Sequence, residues 1–314
     1  MPAEETLKDI LRQGGSIPSD DDVLQRVAVV GAGTMGLGIA QAIAQKGMEV
    51  LIVEKDETSL KHSMHQLDVN LDREIARWSM TDSDKRALLS RIHGTVDLSE
   101  VEEFKLIIEA VPDVLQVKKD LLLRLDTLAD PEAVFVTNTS VLSVTELAEG
   151  TIRPKKVIGM HFLNPVPKRP LVEVVKGLQT SAETVEFVKQ FAEAIGKTVV
   201  EVYESPGFVT TRVVLPMLNE AMYALMEGVA TAEGIDTAIR LGYDFVQGPL
   251  QLADQMGLDE VWSWLDAMFR ETGDTKYRPC PLLRKLVRAG HHGVKTGKGF
   301  FEYDENGRMI RPDA

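Results

Sequence analysis

Arg26-Val27-Ala28-Val29-Val30 runs directly into Gly31-Ala32-Gly33-Thr34-Met35-Gly36. The first five residues are a short β-branched run, the profile of a strand buried in a parallel sheet. A helical stretch is expected from Gly36 to Lys46, with Ile39, Ala40 and Ile43 at helical spacing and Gly47 as its stop. Glu49-Val50-Leu51-Ile52-Val53 reads as a second strand, with Glu54 at its end. This is G-x-G-x-x-G in the setting that gives it meaning: a strand before, a helix after, and an acid closing the next strand. Gly31 permits the tight turn, Gly33 lets backbone approach a pyrophosphate, and Gly36 lets the helix lie close to the strand. Ala32, Thr34 and Met35 complete a turn whose open N–H groups, at the positive end of the helix, suit phosphate. Glu54 suits a ribose hydroxyl and would repel a 2′-phosphate, which predicts NAD over NADP. The motif alone does not name the cofactor, because FAD uses the same fingerprint.

Further along, Phe104–Val111, Ala133–Thr137 and Val157–Phe162 read as buried strands, and Lys118–Leu128 as an amphipathic helix between two of them. Strands alternating with helices imply a mostly parallel sheet covered on both faces, with ligands at the carboxyl ends of the strands. Asn138, Ser140 and His161 fall at such ends. Lys61–Trp78 reads as a long helix whose scattered cations ordinarily mark a solvated face. From Pro206 the pattern turns helical. Ser205 is the expected cap and Pro206 the first-turn residue, followed by Thr211, Leu215, Leu218, Met222, Leu225 and Met226 at helical spacing. Further helices are expected over 233–241, 249–255, 258–271 and 281–289. The fold class is therefore α/β: a Rossmann-type, mostly parallel sheet domain at 23–205, then an all-helical C-terminal domain at 206–314. Residues 1–22 form an N-terminal extension that lacks the marks of a signal peptide.

Composition narrows the partners. The chain has 314 residues and a net charge of −13, which argues against nucleic acid or an anionic membrane as partner. No apolar run approaches the ~18 residues of a spanning helix. One cysteine, Cys280, precludes an intrachain disulfide and points to a reducing, cytoplasmic compartment. No metal-ligand set is assigned.

His161 closes one strand, and Leu171-Val172-Glu173-Val174-Val175 reads as the next, across the proline-rich 164–170 loop. If the two pair antiparallel about Pro167, His161 and Glu173 face each other on one side of the sheet. A carboxylate beside an imidazole fixes its tautomer and strengthens it as a general base for a hydroxyl proton. The plainer alternative is a structural His–Glu pair.

Gly31–Gly36, Asn138-Thr139-Ser140, His161-Phe162-Leu163-Asn164-Pro165, Leu171–Val174, Ser205-Pro206-Gly207-Phe208 and Lys295-Thr296-Gly297-Lys298-Gly299-Phe300 occur in order. Together they resemble the L-3-hydroxyacyl-CoA dehydrogenase family, including 3-hydroxybutyryl-CoA dehydrogenases, over roughly residues 25 to 303. The resemblance implies NAD-dependent interconversion of a 3-hydroxyacyl-CoA and a 3-ketoacyl-CoA. It makes His161 the general base and Glu173 its orienting partner. Ser140 would hydrogen-bond near the substrate oxygen and nicotinamide, and Asn164 belongs to the same active-site motif. Asp113, Lys118 and Lys295 match NAD contacts, and Asn70 and Arg77 match coenzyme A contacts. The helical domain would form a homodimer.

One position departs from the family. Thr211 stands where the family carries a substrate-contacting Asn, and threonine lacks the amide's reach and second donor. Two other readings follow: a dehydrogenase of a free hydroxy acid, or a non-catalytic NAD-binding protein. Gln251, where Glu is common, is expected to be a minor structural change.

Overall fold

A computed structural model describes residues 25–77 and 79–310. The expected N-terminal extension and Trp78 lie outside them. Strand β1 (Arg26–Val30), helix α1 (Thr34–Ala44), β2 (Glu49–Val53), α2 (Glu57–Ala76), α3 (Asp82–Leu89) and β3 (Ile92–Thr95) come first. β4 (Leu106–Glu109), α4 (Leu115–Leu128), β5 (Val134–Thr137), α5 (Val144–Ala148) and β6 (Val157–Phe162) follow. β7 (Leu171–Lys176), α6 (Ala182–Ala194) and β8 (Thr198–Tyr203) complete an eight-stranded sheet of order β3-β2-β1-β4-β5-β6-β7-β8. Strands β1 to β6 are parallel with their neighbours, and β7 runs antiparallel to β6. The strand order reverses at β1, so the glycine turn sits where ligands bind in open α/β sheets.

The central strands are apolar apart from Glu109, Thr137 and His161 toward their carboxyl ends, because both faces are covered. Val27, Ala28, Val29 and Ile108 are fully buried. Of the boundaries that differ from the sequence expectation, two have clear local reasons. α1 begins at Thr34 rather than Gly36, since Gly33 already takes the extended N-cap conformation. β4 ends at Glu109 rather than Val111, because the Val111 N–H leaves the ladder and donates to the Glu109 side chain.

The described residues fall into two compact units. One comprises residues up to Asn138 with Val144–Glu201, and the other comprises Thr139–Ser143 with the chain from Val202 onward. The second unit holds α7 (Thr210–Met226), α8 (Ala232–Gly242), α9 (Pro249–Met256), α10 (Leu258–Thr272), α11 (Pro281–Arg288) and a small ribbon of β9 (Glu302–Tyr303) and β10 (Met309–Ile310). Its core joins Leu215, Leu218 and Met222 of α7 to Leu250, Val261, Leu265 and Leu283. α7 does not start at Pro206 as expected. Gly207 and Phe208 take left-handed backbone angles, so the helix cannot form before them. Ser205 therefore does not cap; its hydroxyl accepts from the Arg212 guanidinium at 2.8 Å.

Asp254 organises the glycine-rich C-terminal motif of this unit. Its carboxylate accepts the N–H groups of Phe300 and Phe301, each at 2.9 Å, and the Tyr303 hydroxyl at 3.0 Å. A Cβ on Gly299 would lie 2.0 Å from an Asp254 oxygen, so only glycine admits this approach. Burial pushes the Asp254 carboxyl up to about 6, against the three hydrogen bonds that pull it down. A folded-state value above the unfolded one stabilises the fold fully below about pH 4 and is lost as pH rises through about 6. The stability advantage of the wild type over Asp254→Asn is therefore expected to shrink by up to about 3 kcal/mol between pH 4 and pH 7.5. Urea unfolding at several pH values reads this; a difference that stays constant with pH would contradict it.

Candidate active site

The glycine turn is built as the fingerprint requires. Gly31 has φ +92°, and its N–H donates to the Val53 carbonyl at 2.9 Å, tying the turn to β2. A Cβ on Gly36 would lie 1.9 Å from the Gly31 oxygen, which fixes glycine at the third position. Nothing lies within 4 Å of the Cβ position of Gly33, so the turn's outer edge is open. No side chain caps α1, and its first turn carries no acid. The backbone N–H groups there are thus left to an anion, which is what a dinucleotide pyrophosphate needs. Glu54 reaches back to this turn and accepts the Ala32 N–H at 2.9 Å.

The sheet register places the other residues of this unit. Val30, Glu109, Thr137 and Gly159 lie abreast on β1, β4, β5 and β6. His161 stands two residues beyond that level, at the same end of the sheet as the glycine turn. β6 and β7 pair with His161 opposite Glu173, the register expected from the loop between them. His161 Nδ1 and Glu173 Oε2 are 2.6 Å apart, with His161 5% exposed and Glu173 0%. A carboxylate only accepts, so Nδ1 bears a hydrogen and donates the hydrogen bond to Glu173; in the neutral imidazole the lone pair is then on Nε2. Asn138 steadies the same strand end: its Oδ1 accepts the Phe162 N–H at 3.3 Å. Asn164 is exposed at the start of the loop.

Lys118 is fully buried. It donates to Glu109 Oε1 at 2.7 Å and to the Asn138 carbonyl at 2.9 Å, and lies 3.9 Å from Asp113. Glu109 and its Thr137 partner were not among the residues singled out from the sequence. The available signal was a lone Glu in an otherwise apolar strand, a pattern that demands a buried partner. Asn70 and Arg77 lie seven residues apart on the exposed side of α2 and at its C-cap. Nearby, Glu74 pairs with Lys168 at 2.8 Å, and the Lys168 and Ser79 hydrogen bonds hold the Glu74 carboxyl below its usual range despite burial.

Three expected site residues belong to the second unit. Ser140 lies in the short 139–143 turn, where the Thr139 hydroxyl accepts the Val141 and Leu142 N–H groups at 3.3 and 3.0 Å. Thr211 is buried in the first turn of α7. Lys295 is paired with Asp259 at 2.7 Å.

A dinucleotide turn and a buried histidine–carboxylate pair at one end of a parallel sheet suit an alcohol dehydrogenase of the nicotinamide class. The models for the NAD-binding domain and the C-terminal domain of 3-hydroxyacyl-CoA dehydrogenase match residues 26–205 and 207–303. A probable 3-hydroxybutyryl-CoA dehydrogenase of Bacillus subtilis is 43% identical over 90% of this chain and 98% of its own. A 3-hydroxybutyryl-CoA dehydrogenase of Clostridioides difficile is 42% identical over 89% and 100%. The crystal structure of (S)-3-hydroxybutyryl-CoA dehydrogenase from Ralstonia eutropha superposes with a TM-score of 0.82, at 40% identity, over 90% of this chain and 99% of that one. The chain belongs to the 3-hydroxyacyl-CoA dehydrogenase family; it is an NAD-dependent oxidoreductase.

Proposed function

We propose that this chain interconverts a short-chain (S)-3-hydroxyacyl-CoA and its 3-ketoacyl-CoA, with His161 as the general base. The observation that carries the residue assignment is the buried 2.6 Å contact between His161 and Glu173 at the carboxyl end of β6. When bound, NAD supplies the two-electron acceptor for the hydride leaving C3. His161 Nε2 takes the hydroxyl proton as the ketone forms, and Glu173 stabilises the resulting imidazolium. In the reverse direction the imidazolium returns that proton to the alkoxide. The short acyl chain is supported by relatives named for 3-hydroxybutyryl-CoA.

Ser140 and Asn164 are assigned hydrogen bonds to the substrate side. Thr211 replaces an amide with one hydroxyl and so offers a weaker contact. Asp113, Lys118 and Lys295 are assigned to the cofactor side. Asn70 and Arg77 are assigned to coenzyme A; a planar guanidinium at an exposed helix end suits phosphate. NADH oxidation with acetoacetyl-CoA, set against free acetoacetate, tests the substrate class. Arg77→Ala is expected to raise KM for acetoacetyl-CoA about tenfold, the worth of one charge-assisted hydrogen bond, with kcat kept. Equal use of free acetoacetate, or no effect of Arg77→Ala, would remove coenzyme A from the reading.

The second unit leaves Leu241, Tyr243, Phe245 and Val246 exposed around one turn, Val246 at 97%. We propose that a second copy of the helical domain covers them. A mass of 34.7 kDa by light scattering, that of one chain, would overturn this. Among the described residues no helix is long and apolar enough to cross a membrane. A cytoplasmic location is proposed from the single, buried Cys280.

A further inference from the structure

Glu109 is fully buried at the end of β4, and the proton-transfer chemistry does not use it. Its partners have a pattern. Oε1 accepts the Val111 N–H at 2.7 Å and the Lys118 ammonium at 2.7 Å, while Oε2 accepts the Thr137 hydroxyl at 2.7 Å. Lys118 in turn donates to the Asn138 carbonyl at 2.9 Å. Just beyond residues 109 and 137 the Ala110 and Asn138 N–H groups still bond to the Val30 and Glu109 carbonyls, whereas the Val111 N–H and the Asn138 C=O pass to side chains. Buried away from water, an unpaired N–H or C=O is costly. Here the acid takes the orphaned N–H, the base takes the orphaned C=O, and the two charges neutralise each other.

Both secured edges adjoin the cofactor turn or the base. Ala110 and Val111 pack against the glycine turn so closely that a Cβ on Gly31 would lie 3.0 Å from the Ala110 carbonyl and from a Val111 methyl. The Ala110 N–H also donates to the Val30 carbonyl at 2.8 Å. Asn138 holds the Phe162 N–H, one residue past His161.

We infer that Glu109 is a positioning residue for the cofactor: through Val111 and through Lys118 and Asn138 it holds the two backbone edges against which NAD docks. The inference rests on the cofactor side of the proposed function. It accounts for a charged pair where apolar residues would fill the space without a desolvation penalty. An apolar pair would leave the Val111 N–H and the Asn138 C=O unmet.

The test compares wild type with Glu109→Gln, Glu109→Asp and Thr137→Val. NADH binding is followed by fluorescence without substrate, and KM for NADH and for acetoacetyl-CoA under turnover. Glu109→Gln is expected to raise both the Kd and the KM for NADH at least tenfold, with KM for acetoacetyl-CoA unchanged within twofold. Glu109→Asp is expected to recover part of the loss. Thr137→Val removes one of three donors to the same carboxylate and should raise the NADH Kd two- to threefold. If Glu109→Gln does not fold, Thr137→Val carries the test. Wild-type NADH affinity in every folded variant, or equal losses for both substrates, would overturn the inference. Failure of the wild type itself to bind NADH would instead overturn the cofactor reading beneath it.

Discussion

Replacing His161 by Gln is expected to lower kcat for acetoacetyl-CoA reduction by about 10³, within the 10²–10⁴ range for loss of a general acid–base group. Glutamine keeps polarity and approximate volume but neither takes nor returns a proton at neutral pH. The dinucleotide turn follows β1, three strands away from β6. NADH affinity should therefore stay within about threefold of wild type, well under 1 kcal/mol. Steady-state kinetics with a parallel fluorescence titration separates the two quantities. Turnover within tenfold of wild type would mean that another group moves the proton. Parallel collapse of NADH binding would mean that the substitution damaged the fold, and the reading would then rest on Glu173.

The sheet was legible where sequence and burial agree. Val27–Val30 are apolar throughout and Val157–Phe162 apolar but for His161, because both faces are covered, and this gave the strands and the parallel class. The His161–Glu173 pairing was readable because a loop centred on a proline fixes the register of an antiparallel pair. Other features were hidden for physical reasons. The stop of β4 at Glu109 depends on a side chain capturing the Val111 N–H, and no local propensity reports a capture of that kind. The late start of α7 depends on left-handed angles at Gly207 and Phe208; the second is a conformation that phenylalanine rarely takes. α3 went unread although Thr81 and Asp84 form a capping box, because its eight residues bury only Leu88 and carry little apolar periodicity. Asp254 was invisible because its partners, Phe300, Phe301 and Tyr303, lie more than forty residues away.

Glu173→Gln tests whether the pair works as a pair. Glutamine is nearly isosteric, and at 0% exposure it has no room to leave the His161 ring. Two things change. The imidazolium loses the negative charge that stabilises it at the moment the proton arrives. The amide also presents either an oxygen or an NH2 group to Nδ1. With the NH2 group forward, the favoured tautomer puts the proton on Nε2, where it blocks acceptance of the hydroxyl proton. Loss of the buried partner of a catalytic imidazole costs up to about 10⁴ in turnover when the tautomer inverts, and less when only the charge is lost. kcat is expected to fall by about 10²–10⁴, with NADH binding kept. Because both residues act in one step, the double variant with His161→Gln should be little worse than His161→Gln alone. Nitrogen-15 NMR of the labelled histidine reads the tautomer directly: a proton on Nδ1 in the wild type, and a shift toward Nε2 in the variant. Wild-type turnover in Glu173→Gln, or losses that multiply in the double variant, would reduce the contact to packing and detach the base from its carboxylate.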